Sequence, residues 1–499
     1  MADPTRTPVI VGVGDLRSGR AGDTAGPREP LDLITDAARA AVADSGSAAL
    51  GAEIDTIRAV KTVSWTYDDL PGLLAARLAL PAPRSSTSPI GGHWPAALLD
   101  RIGGDIAAGR SSAALLVGGE TQATMTSLRK SGTDPTSLDW SRAPGGPPAF
   151  DPADLGSPAM QRAGLIVPTR VYPLFENRLA HESGLSPDES LAESARMYSA
   201  FSELAAENPA SWTSEVYTAE EIATVGPGNR MVCEPYPLTL NAMPFVDQAA
   251  AVLVCSLAVA REHGVPDDRI VYVWGGAGAT DSVDVLSRNG FGTSNALTDA
   301  VGRALSRASI DASALDVVDA YSCFPVVPKL LARTLGLPAH AVPSVTGGHS
   351  FFGGPLNSYT LHSIAEVTRR LREGAGPALI HGNGGYLTYQ HVVLLASTPH
   401  PGGYVGDPEP AQLASEAPEI VTGYQGRAEI VTSTVEYGRG GAPATGLVVA
   451  TTPDGRRLAG QTGPEEAAAL SAFTRTPARS AIGCSVHVED RDGVLSLRF

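Results

Sequence analysis

Three turn-like segments in the last third of the 499-residue chain, two of them rich in glycine, decide how the sequence is interpreted. They read DAYSCFP at residues 319–325, TGGHSFFGGP at residues 346–355 and HGNGGY at residues 381–386. Each segment follows or interrupts an apolar stretch, which is where turns at the ends of strands are found. We therefore expect three loops that meet at one edge of a sheet.

Strand and helix patterns alternate around these segments and also near the start of the chain. Residues 8–14 form a short apolar run that ends in glycine, and residues 31–45 carry apolar side chains at helical spacing. Residues 268–398 repeat this order, and a strand is predicted at residues 317–321, directly before the first turn. Strand–helix alternation predicts parallel sheets with helical crossovers, and the repeated order predicts an internal duplication into two α/β halves.

Shifts in composition divide the chain into five segments. Residues 1–120 are predicted to begin an N-terminal half, which residues 236–265 complete after a polar, proline- and serine-rich insertion at residues 121–235. Residues 266–398 are predicted to form the C-terminal half. Residues 399–499 comprise a linker and a C-terminal domain, whose short alternating strands predict a small antiparallel barrel or sandwich.

The helix predicted from Pro95 to Ala108 is unusual because it contains Gly103 and Gly104. Each glycine costs a helix roughly 1 kcal/mol relative to alanine, so a compensating contact is expected. Close packing of this helix between two sheets would provide that contact, and an ordinary surface helix is the alternative interpretation.

Composition excludes several classes of function. The formal net charge of −16 argues against a nucleic-acid partner, because phosphate binding requires a basic face. The four cysteines are far apart and form no CxxC motif, so neither a metal site nor a disulfide framework is expected. The longest apolar run, residues 249–260, is too short to span a bilayer, and the N-terminus lacks a signal pattern. We therefore expect a cytoplasmic protein without a membrane span.

Together these features resemble the thiolase superfamily, especially the sterol-carrier-protein-type thiolases, over roughly residues 7–398. Residues 229–248 look like the family segment that returns from the loop domain. The tail is similar to the extra domain of mycobacterial-type thiolase-like proteins, which the chain resembles most closely. The resemblance implies an α/β thiolase fold, in which two similar βαβ-rich halves form a five-layered α-β-α-β-α arrangement. It also implies a loop-domain insertion and an appended small C-terminal β-barrel.

The same resemblance implies that the catalytic groups of the family are replaced. The family places a nucleophilic cysteine at the N-terminus of the central helix, where the helix dipole lowers the pKa of the thiol. This chain has Gly91-Gly92-His93 there. The motif His-Asp-Cys-Phe becomes Tyr321-Ser322-Cys323-Phe324, and the base of Gly-His-Pro is lost in Gly353-Gly354-Pro355. The turn Asn383-Gly384-Gly385 stands where the family has Cys-x-Gly-Gly-Gly.

The residues left at these positions are the candidates for function. The candidate catalytic residues are Tyr321, Cys323 and His349. The candidate substrate-binding residues are Gly92, His93, Gly353, Gly354, Asn383, Gly384 and Gly385. Tyr321 and Cys323 are two residues apart at the end of the predicted strand, so we expect their side chains to point to the same face. His349 is expected to replace the lost base. Each residue also has a structural interpretation, as core packing for the cysteine and as turns for the glycines.

The resemblance implies an acetyl-CoA acetyltransferase-like protein of lipid metabolism that binds acyl-CoA thioesters and holds no permanent cofactor or metal. Without the nucleophile and the base, ordinary thiolysis or Claisen condensation is not expected. Two alternatives stay open. One is a retro-aldolase that cleaves C–C bonds of CoA-thioester side chains through tyrosine and cysteine acid–base chemistry, and the other is a non-enzymatic acyl-CoA-binding protein.

The resemblance leaves two oligomeric states open. Thiolases usually dimerise through edge strands of the N-terminal half, which implies a homodimer. A monomer is expected instead if the appended domain covers that edge, because a covered edge strand no longer pairs with a partner.

Overall fold

A computed structural model describes residues 3–18, 26–81, 83–141, 145–146, 156–414, 417–475 and 479–498. The strands are β1 (Pro8–Arg17), β2 (Thr56–Ala59), β3 (Arg84–Thr87), β4 (Ala113–Thr121), β5 (Met231–Cys233), β6 (Tyr236–Pro237), β7 (Asp247–Ser256), β8 (Val271–Thr280), β9 (Val317–Asp319), β10 (Ala378–Gly384), β11 (Tyr389–Ala396), β12 (Asp407–Gln412), β13 (Gln425–Tyr437), β14 (Pro443–Thr451), β15 (Arg457–Thr462), β16 (Ser485–Arg491) and β17 (Val494–Arg498).

The α-helices are α1 (Pro30–Asp44), α2 (Leu70–Arg77), α3 (Trp94–Ala107), α4 (Gln122–Ser131), α5 (Pro158–Arg162), α6 (Pro168–Glu182), α7 (Pro187–Glu207), α8 (Ala219–Ala223), α9 (Leu257–Glu262), α10 (Asn295–Ala308), α11 (Val326–Leu335), α12 (Tyr359–Arg372) and α13 (Pro464–Arg475).

The strands of the two halves follow one another in the order β3-β2-β4-β7-β1-β8-β11-β10-β9. The halves meet where β1 pairs with β8, and only two residue pairs join these strands, Val9 with Tyr272 and Ile10 with Val271. Each half is mixed rather than parallel as predicted. A turn of four residues connects β10 to β11, and such a short connection forces an antiparallel pair.

Two helices lie between the sheets of the two halves. Leu99 and Ile102 of α3 share one core with Leu361 and Ile364 of α12 and with strand residues of both halves. Helices α1 and α2 cover the outer face of the first sheet, whereas α10 and α11 cover the outer face of the second. The five-layered α-β-α-β-α arrangement expected from the sequence is therefore present.

The two glycines of α3 are explained by a contact from the segment after the second half. A Cβ on Gly103 would lie 2.7 Å from a ring carbon of Tyr404, and one on Gly104 would lie 3.4 Å from the Tyr404 hydroxyl. That hydroxyl donates to the buried carboxylate of Asp100, at 2.7 Å, which His391 also contacts at 3.0 Å. The prediction of close packing at this helix is confirmed, and the linker supplies part of it.

The C-terminal domain is a closed barrel, as expected. Strands β13, β14, β15, β17 and β16 pair in that order, and β16 pairs again with β13. Helix α13 packs on the barrel through Ala467 and Leu470. Sequence analysis did not identify β15 or α13. It also missed the pairing of Glu436 in β13 with Cys233 in β5, which attaches the barrel to the inserted segment.

The strand predicted at residues 317–321 ends at Asp319 instead. Beyond this residue the backbone leaves its neighbour β10, because the N–H of Ala320 donates to the carbonyl of Pro343. Tyr321 and Cys323 therefore lie in the turn after β9, so strand alternation does not determine where their side chains point.

The expected covering of an edge strand is not observed. The barrel packs against α6 and pairs with β5, whereas β3, at the edge of the first sheet, is exposed at three of its four residues. The expectation of a monomer therefore requires a different physical explanation. Strand β3 is short and polar, with the sequence Arg-Ser-Ser-Thr, and such an edge gives a partner little apolar surface.

We expect the protein to be a monomer in solution for this reason. Multi-angle light scattering at micromolar concentration should give a mass near 51.4 kDa. A mass near twice that value, independent of dilution, would show that this short polar edge or another surface pairs with a second copy.

Candidate functional site

The three segments at residues 319–325, 346–355 and 381–386 meet at the N-terminus of α3. A Cβ on Gly92 would lie 2.2 Å from the hydroxyl oxygen of Tyr321 and 2.7 Å from the carbonyl oxygen of Asn383. The Tyr321 ring in turn lies 4.2 Å from the His349 ring, centroid to centroid. The structure thus brings Gly92, Tyr321, Asn383 and His349 into one site.

Tyr321 occupies the space that a side chain at residue 92 would need. Both its hydroxyl oxygen and its Cζ lie closer than 3 Å to a Cβ at that position, so neither cysteine nor alanine fits without displacing the ring. The two replacements that the sequence resemblance predicts, of the cysteine by Gly92 and of the histidine by Tyr321, would therefore be sterically linked. Within the described residues the Tyr321 hydroxyl has no hydrogen-bond partner.

Tyr321, His349 and Tyr359 form an aromatic group. The His349 ring stacks on Tyr359 with centroids 3.5 Å apart, and Tyr359 meets Tyr321 edge to face at 5.7 Å. Burial, together with the neighbouring Cys323 and Tyr359, raises the pKa of Tyr321 well above its usual value. The phenol is therefore protonated at neutral pH and acts as a hydrogen-bond donor.

His349 lies in a single π-helical turn, Gly348–Phe352, and π-helical turns are frequent at functional sites. Its Nδ1 accepts from the backbone N–H of Ser322, at 3.3 Å, which assigns the proton of the neutral ring to Nε2. That Nε2 is buried and has no partner among the described residues. Burial lowers the pKa of His349 well below its usual value, so the ring is neutral at pH 7.

His349 also lies beside Gly354, where the sequence resemblance predicts the loss of the family base. A Cβ on Gly354 would be 3.3 Å from Cδ2 of His349. The backbone N–H of Gly354 donates to the carbonyl of Met243, at 2.9 Å, which fixes this loop beside the imidazole. The His349 imidazole therefore lies next to residue 354, where the resemblance predicts that the family has a histidine.

A chain of buried polar side chains supports the other side of the site. The Asn383 amide donates to the Tyr172 hydroxyl at 2.9 Å, and Gln390 donates to Asn383 at 2.7 Å. His381 completes the chain through a 2.6 Å contact with Gln390. Tyr172 belongs to α6 of the inserted segment, and its hydroxyl donates to the carbonyl of Gly385 at 2.7 Å. Sequence analysis missed Tyr172, because an aromatic residue inside a helix is typical of ordinary core packing.

Cys323 is a thiol rather than a thiolate in this environment. Burial raises its pKa to about 12, and contacts with Tyr172 and with backbone N–H groups offset only part of that effect. Its sulfur lies 3.8 Å from the amide nitrogen of Asn383. Because nucleophilic attack requires the thiolate, Cys323 is poorly suited to covalent catalysis.

The remaining candidates shape the surroundings of the site. The His93 ring stacks on Tyr389 at 5.1 Å and fills the space beside Gly384, where a Cβ would lie 2.4 Å from His93 Nδ1. Burial lowers the pKa of His93 to about 3. Gly353 has φ +118°, and a Cβ there would lie 2.4 Å from the Gln248 side-chain oxygen. These positions are explained by packing alone, and a binding role for them stays a prediction.

The candidate side chains Tyr321, Cys323 and His349 are therefore all neutral, and the hydroxyl of Ser322 lies 3.2 Å from Nδ1 of His349. The Tyr321 hydroxyl and the His349 Nε2–H are two neutral donors near the helix N-terminus, an arrangement that suits a carbonyl oxygen. Within the parts of the chain that the structure describes, no three His, Cys, Asp or Glu side chains are grouped to hold a metal ion. No described helix combines the length and hydropathy that crossing a bilayer requires.

Comparison with known proteins agrees with this fold. Residues 410–493 match the family described as thiolase-like protein type 1 additional C-terminal domain. A structure of a monomeric SCP2-thiolase-like protein type 1 from Mycobacterium smegmatis is 28% identical, covers 100% of both chains and superposes with a TM-score of 0.80.

Other solved structures share the fold over the thiolase part. An Ltp2–ChsH2(DUF35) aldolase is 18% identical with a TM-score of 0.59. Human mitochondrial 3-ketoacyl-CoA thiolase in complex with CoA is 17% identical with a TM-score of 0.55. Each match covers 79% of this chain and 98% of the other.

Two curated relatives are acetyl-CoA acetyltransferases. The protein from Methanothermobacter thermautotrophicus is 25% identical over 42% of this chain and 57% of its own length. The protein from Methanocaldococcus jannaschii is 29% identical over 33% of this chain and 40% of its own length. The chain thus matches less than two thirds of the length of either relative.

These matches define the class first: the chain has the thiolase fold and is similar to thiolase-like proteins. More narrowly, it resembles the SCP2-thiolase-like proteins of type 1 along its whole length and carries their additional C-terminal domain. The resemblance expected from the sequence is confirmed.

We expect Gly92→Ala to lower the free energy of unfolding by about 1–3 kcal/mol, because the added Cβ overlaps the Tyr321 phenol. Gly302→Ala is the matched control, since nothing lies within 4 Å of a Cβ there and alanine favours helix α10 by up to about 1 kcal/mol. Midpoints of chemical denaturation of the two variants test the difference. Equal midpoints would mean that Tyr321 does not occupy this space.

Proposed function

We propose that this protein binds acyl-CoA thioesters at the N-terminus of α3 and does not catalyse thiolysis or Claisen condensation. The observation that carries the proposal is the position of the Tyr321 hydroxyl, which takes the place of a nucleophile at Gly92. The choice of ligand is supported by the names of similar proteins, which include two acetyl-CoA acetyltransferases and a thiolase in complex with CoA.

In this proposal a thioester carbonyl accepts hydrogen bonds from Tyr321 and His349. Both groups are neutral donors, since burial raises the pKa of the phenol and lowers that of the imidazole. The helix dipole of α3 adds a favourable field for the partial negative charge of the carbonyl oxygen. Asn383 and Tyr172 hold the surrounding loop in place through their mutual hydrogen bond of 2.9 Å.

Covalent chemistry is disfavoured at each candidate group. Residue 92 has no side chain, and a thiol whose pKa is about 12 is almost entirely protonated at pH 7. In His349, Nδ1 already accepts a hydrogen bond from the backbone N–H of Ser322, so the proton is on Nε2 and that nitrogen is a donor. An acyl group can be held at this site without being transferred.

We expect acetyl-CoA to bind more tightly than free CoA to the unmodified protein, as measured by isothermal titration calorimetry. Tyr321→Phe removes one donor to the carbonyl and should weaken acetyl-CoA binding about ten-fold while leaving CoA affinity almost unchanged. Tyr424→Phe, which removes a hydroxyl in the barrel that donates to the Arg427 carbonyl, is the matched control.

The negative part of the proposal is tested on the same preparation. Acetoacetyl-CoA thiolysis should not exceed the background rate, and intact-mass spectrometry after incubation with acetyl-CoA should detect no acyl adduct. A covalent adduct at any residue, or failure of every acyl-CoA ester to bind, contradicts the proposal.

Retro-aldol cleavage of a 3-hydroxyacyl-CoA is the second candidate. It is favoured by the unpartnered Tyr321 hydroxyl and by the shared fold of the Ltp2–ChsH2(DUF35) aldolase. In this reaction the Tyr321 phenolate takes the proton of the 3-hydroxyl, the C2–C3 bond breaks, and the same proton returns to C2 of the enolate. The products are a carbonyl compound and a shorter acyl-CoA.

If Tyr321 is that base, turnover should rise with pH and show no plateau up to about pH 10, because the folded pKa of this phenol lies above its usual value. Tyr321→Phe should then abolish turnover, whereas Cys323→Ala should retain it. Release of the carbonyl product, followed by chromatography across pH 6–10, measures both effects. Turnover that persists in Tyr321→Phe would place the chemistry elsewhere.

A further inference from the structure

A second concave surface, separate from the Tyr321 site, lies between the inserted segment and the barrel. Helices α6 and α7 and strand β5 form one wall, and β13, α13 and residues 479–482 form the other. The cleft has a volume of about 700 Å³ when the space at its open mouth is included. Boundaries between packed units are common places for small-molecule sites.

The walls of this cleft are mostly apolar. Leu185 and Leu191 project from the inserted segment, whereas Val435, Leu470 and Ile482 project from the barrel. Leu185 and Leu191 are partly exposed, so the apolar surface is accessible rather than sealed inside the core. Binding of an apolar ligand body is favoured here because it removes apolar surface from water.

One buried carboxylate lies at the base of the cleft and is already satisfied. Glu234 accepts hydrogen bonds from the hydroxyls of Tyr437 at 2.6 Å, Ser471 at 2.7 Å and Thr474 at 3.1 Å. These donors come from the barrel, whereas Glu234 belongs to the inserted segment, so the contact fixes the two walls relative to each other. Because its lone pairs are engaged, Glu234 does not require a cationic ligand.

The mouth of the cleft carries two arginines without ion pairs. Arg475 and Arg479 both line the cleft, and neither guanidinium lies within 4.0 Å of a carboxylate among the described residues. Arg475 is hydrogen-bonded to the Tyr437 side chain, close to Glu234. Arg479 is held over the Phe473 ring at 3.7 Å, and its Nε donates to the Phe473 carbonyl. Its two terminal nitrogens are thereby presented for a ligand. Asp188 and Glu234 are the acids among the described lining residues, so they balance the two arginines, and the positive charge is local to Arg479 and Arg475.

We propose that this cleft binds a medium-chain carboxylate, with its carboxylate on Arg479 and Arg475 and its alkyl chain along Leu185, Leu191 and Ile482. The site is separate from the Tyr321 site, and the proposal does not depend on acyl-CoA binding there. Charged–charged hydrogen bonds of arginine with carboxylate provide selection for the anion, and the apolar walls provide selection for the chain.

Decanoate is the probe, titrated into the full chain by calorimetry below its micelle concentration. Arg479→Gln should weaken decanoate binding about ten-fold, because the charge-assisted contact is lost. Leu185→Gln should weaken it to a similar degree by making the wall polar. Arg498→Gln is the control, because it removes an exposed arginine of the barrel that lies outside the cleft. The affinity of this variant for decanoate should stay within about two-fold of that of the parent protein.

Two comparisons make the outcome decisive. Decyltrimethylammonium has a similar chain with the opposite charge and should bind at least about ten-fold more weakly than decanoate. Tyr321→Phe should bind decanoate like the parent protein. The proposal is overturned if decanoate gives no heat or thermal stabilisation, if Arg479→Gln equals Arg498→Gln, if the cation binds equally well, or if Tyr321→Phe abolishes binding.

Discussion

The contact between the Tyr321 phenol and the backbone of Gly92 constrains the whole candidate site. The Cβ that any other residue would place at position 92 lies 2.2 Å from the phenol oxygen, so the tyrosine and the glycine require each other. Restoring a cysteine at the start of α3 would therefore not restore a nucleophile in an accessible place. The predicted replacement of the nucleophile therefore involves the packing of two residues, Gly92 and Tyr321.

Burial favours the neutral form of all three candidate catalytic side chains. It raises the pKa of Tyr321 and Cys323 and lowers the pKa of His349, so each group is held in its neutral form. Neutral donors can polarise a carbonyl, but thiolysis requires an ionised nucleophile and a base that accepts its proton. The same desolvation that makes the site unsuited to thiolysis strengthens any hydrogen bond that a thioester carbonyl makes there.

The sequence predicts the parts of this arrangement that depend on local backbone geometry, and it misses the parts that depend on distant contacts. Glycine-rich turns are visible because glycine is needed wherever a side chain does not fit, as at Gly353, so the loops at residues 346–355 and 381–386 could be located. Tyr172 could not be found, since its partner Asn383 is 211 residues away and nothing near α6 marks the contact. The end of β9 at Asp319 was missed for a related reason, because it depends on the hydrogen bond from Ala320 to Pro343.

The C-terminal domain is joined to the thiolase part at several places, so it contributes to the site through packing. Tyr404 of the linker packs on Gly103 of the central helix α3, and Glu436 of β13 pairs with Cys233 of β5. Helix α6 carries Tyr172 towards the Tyr321 site and Ala180 towards the cleft against the barrel. Eight residues of helix separate these two side chains by about 12 Å. Because one rigid helix has to satisfy both contacts, a change in how the barrel docks would shift the hydroxyl that holds Asn383 beside Gly92.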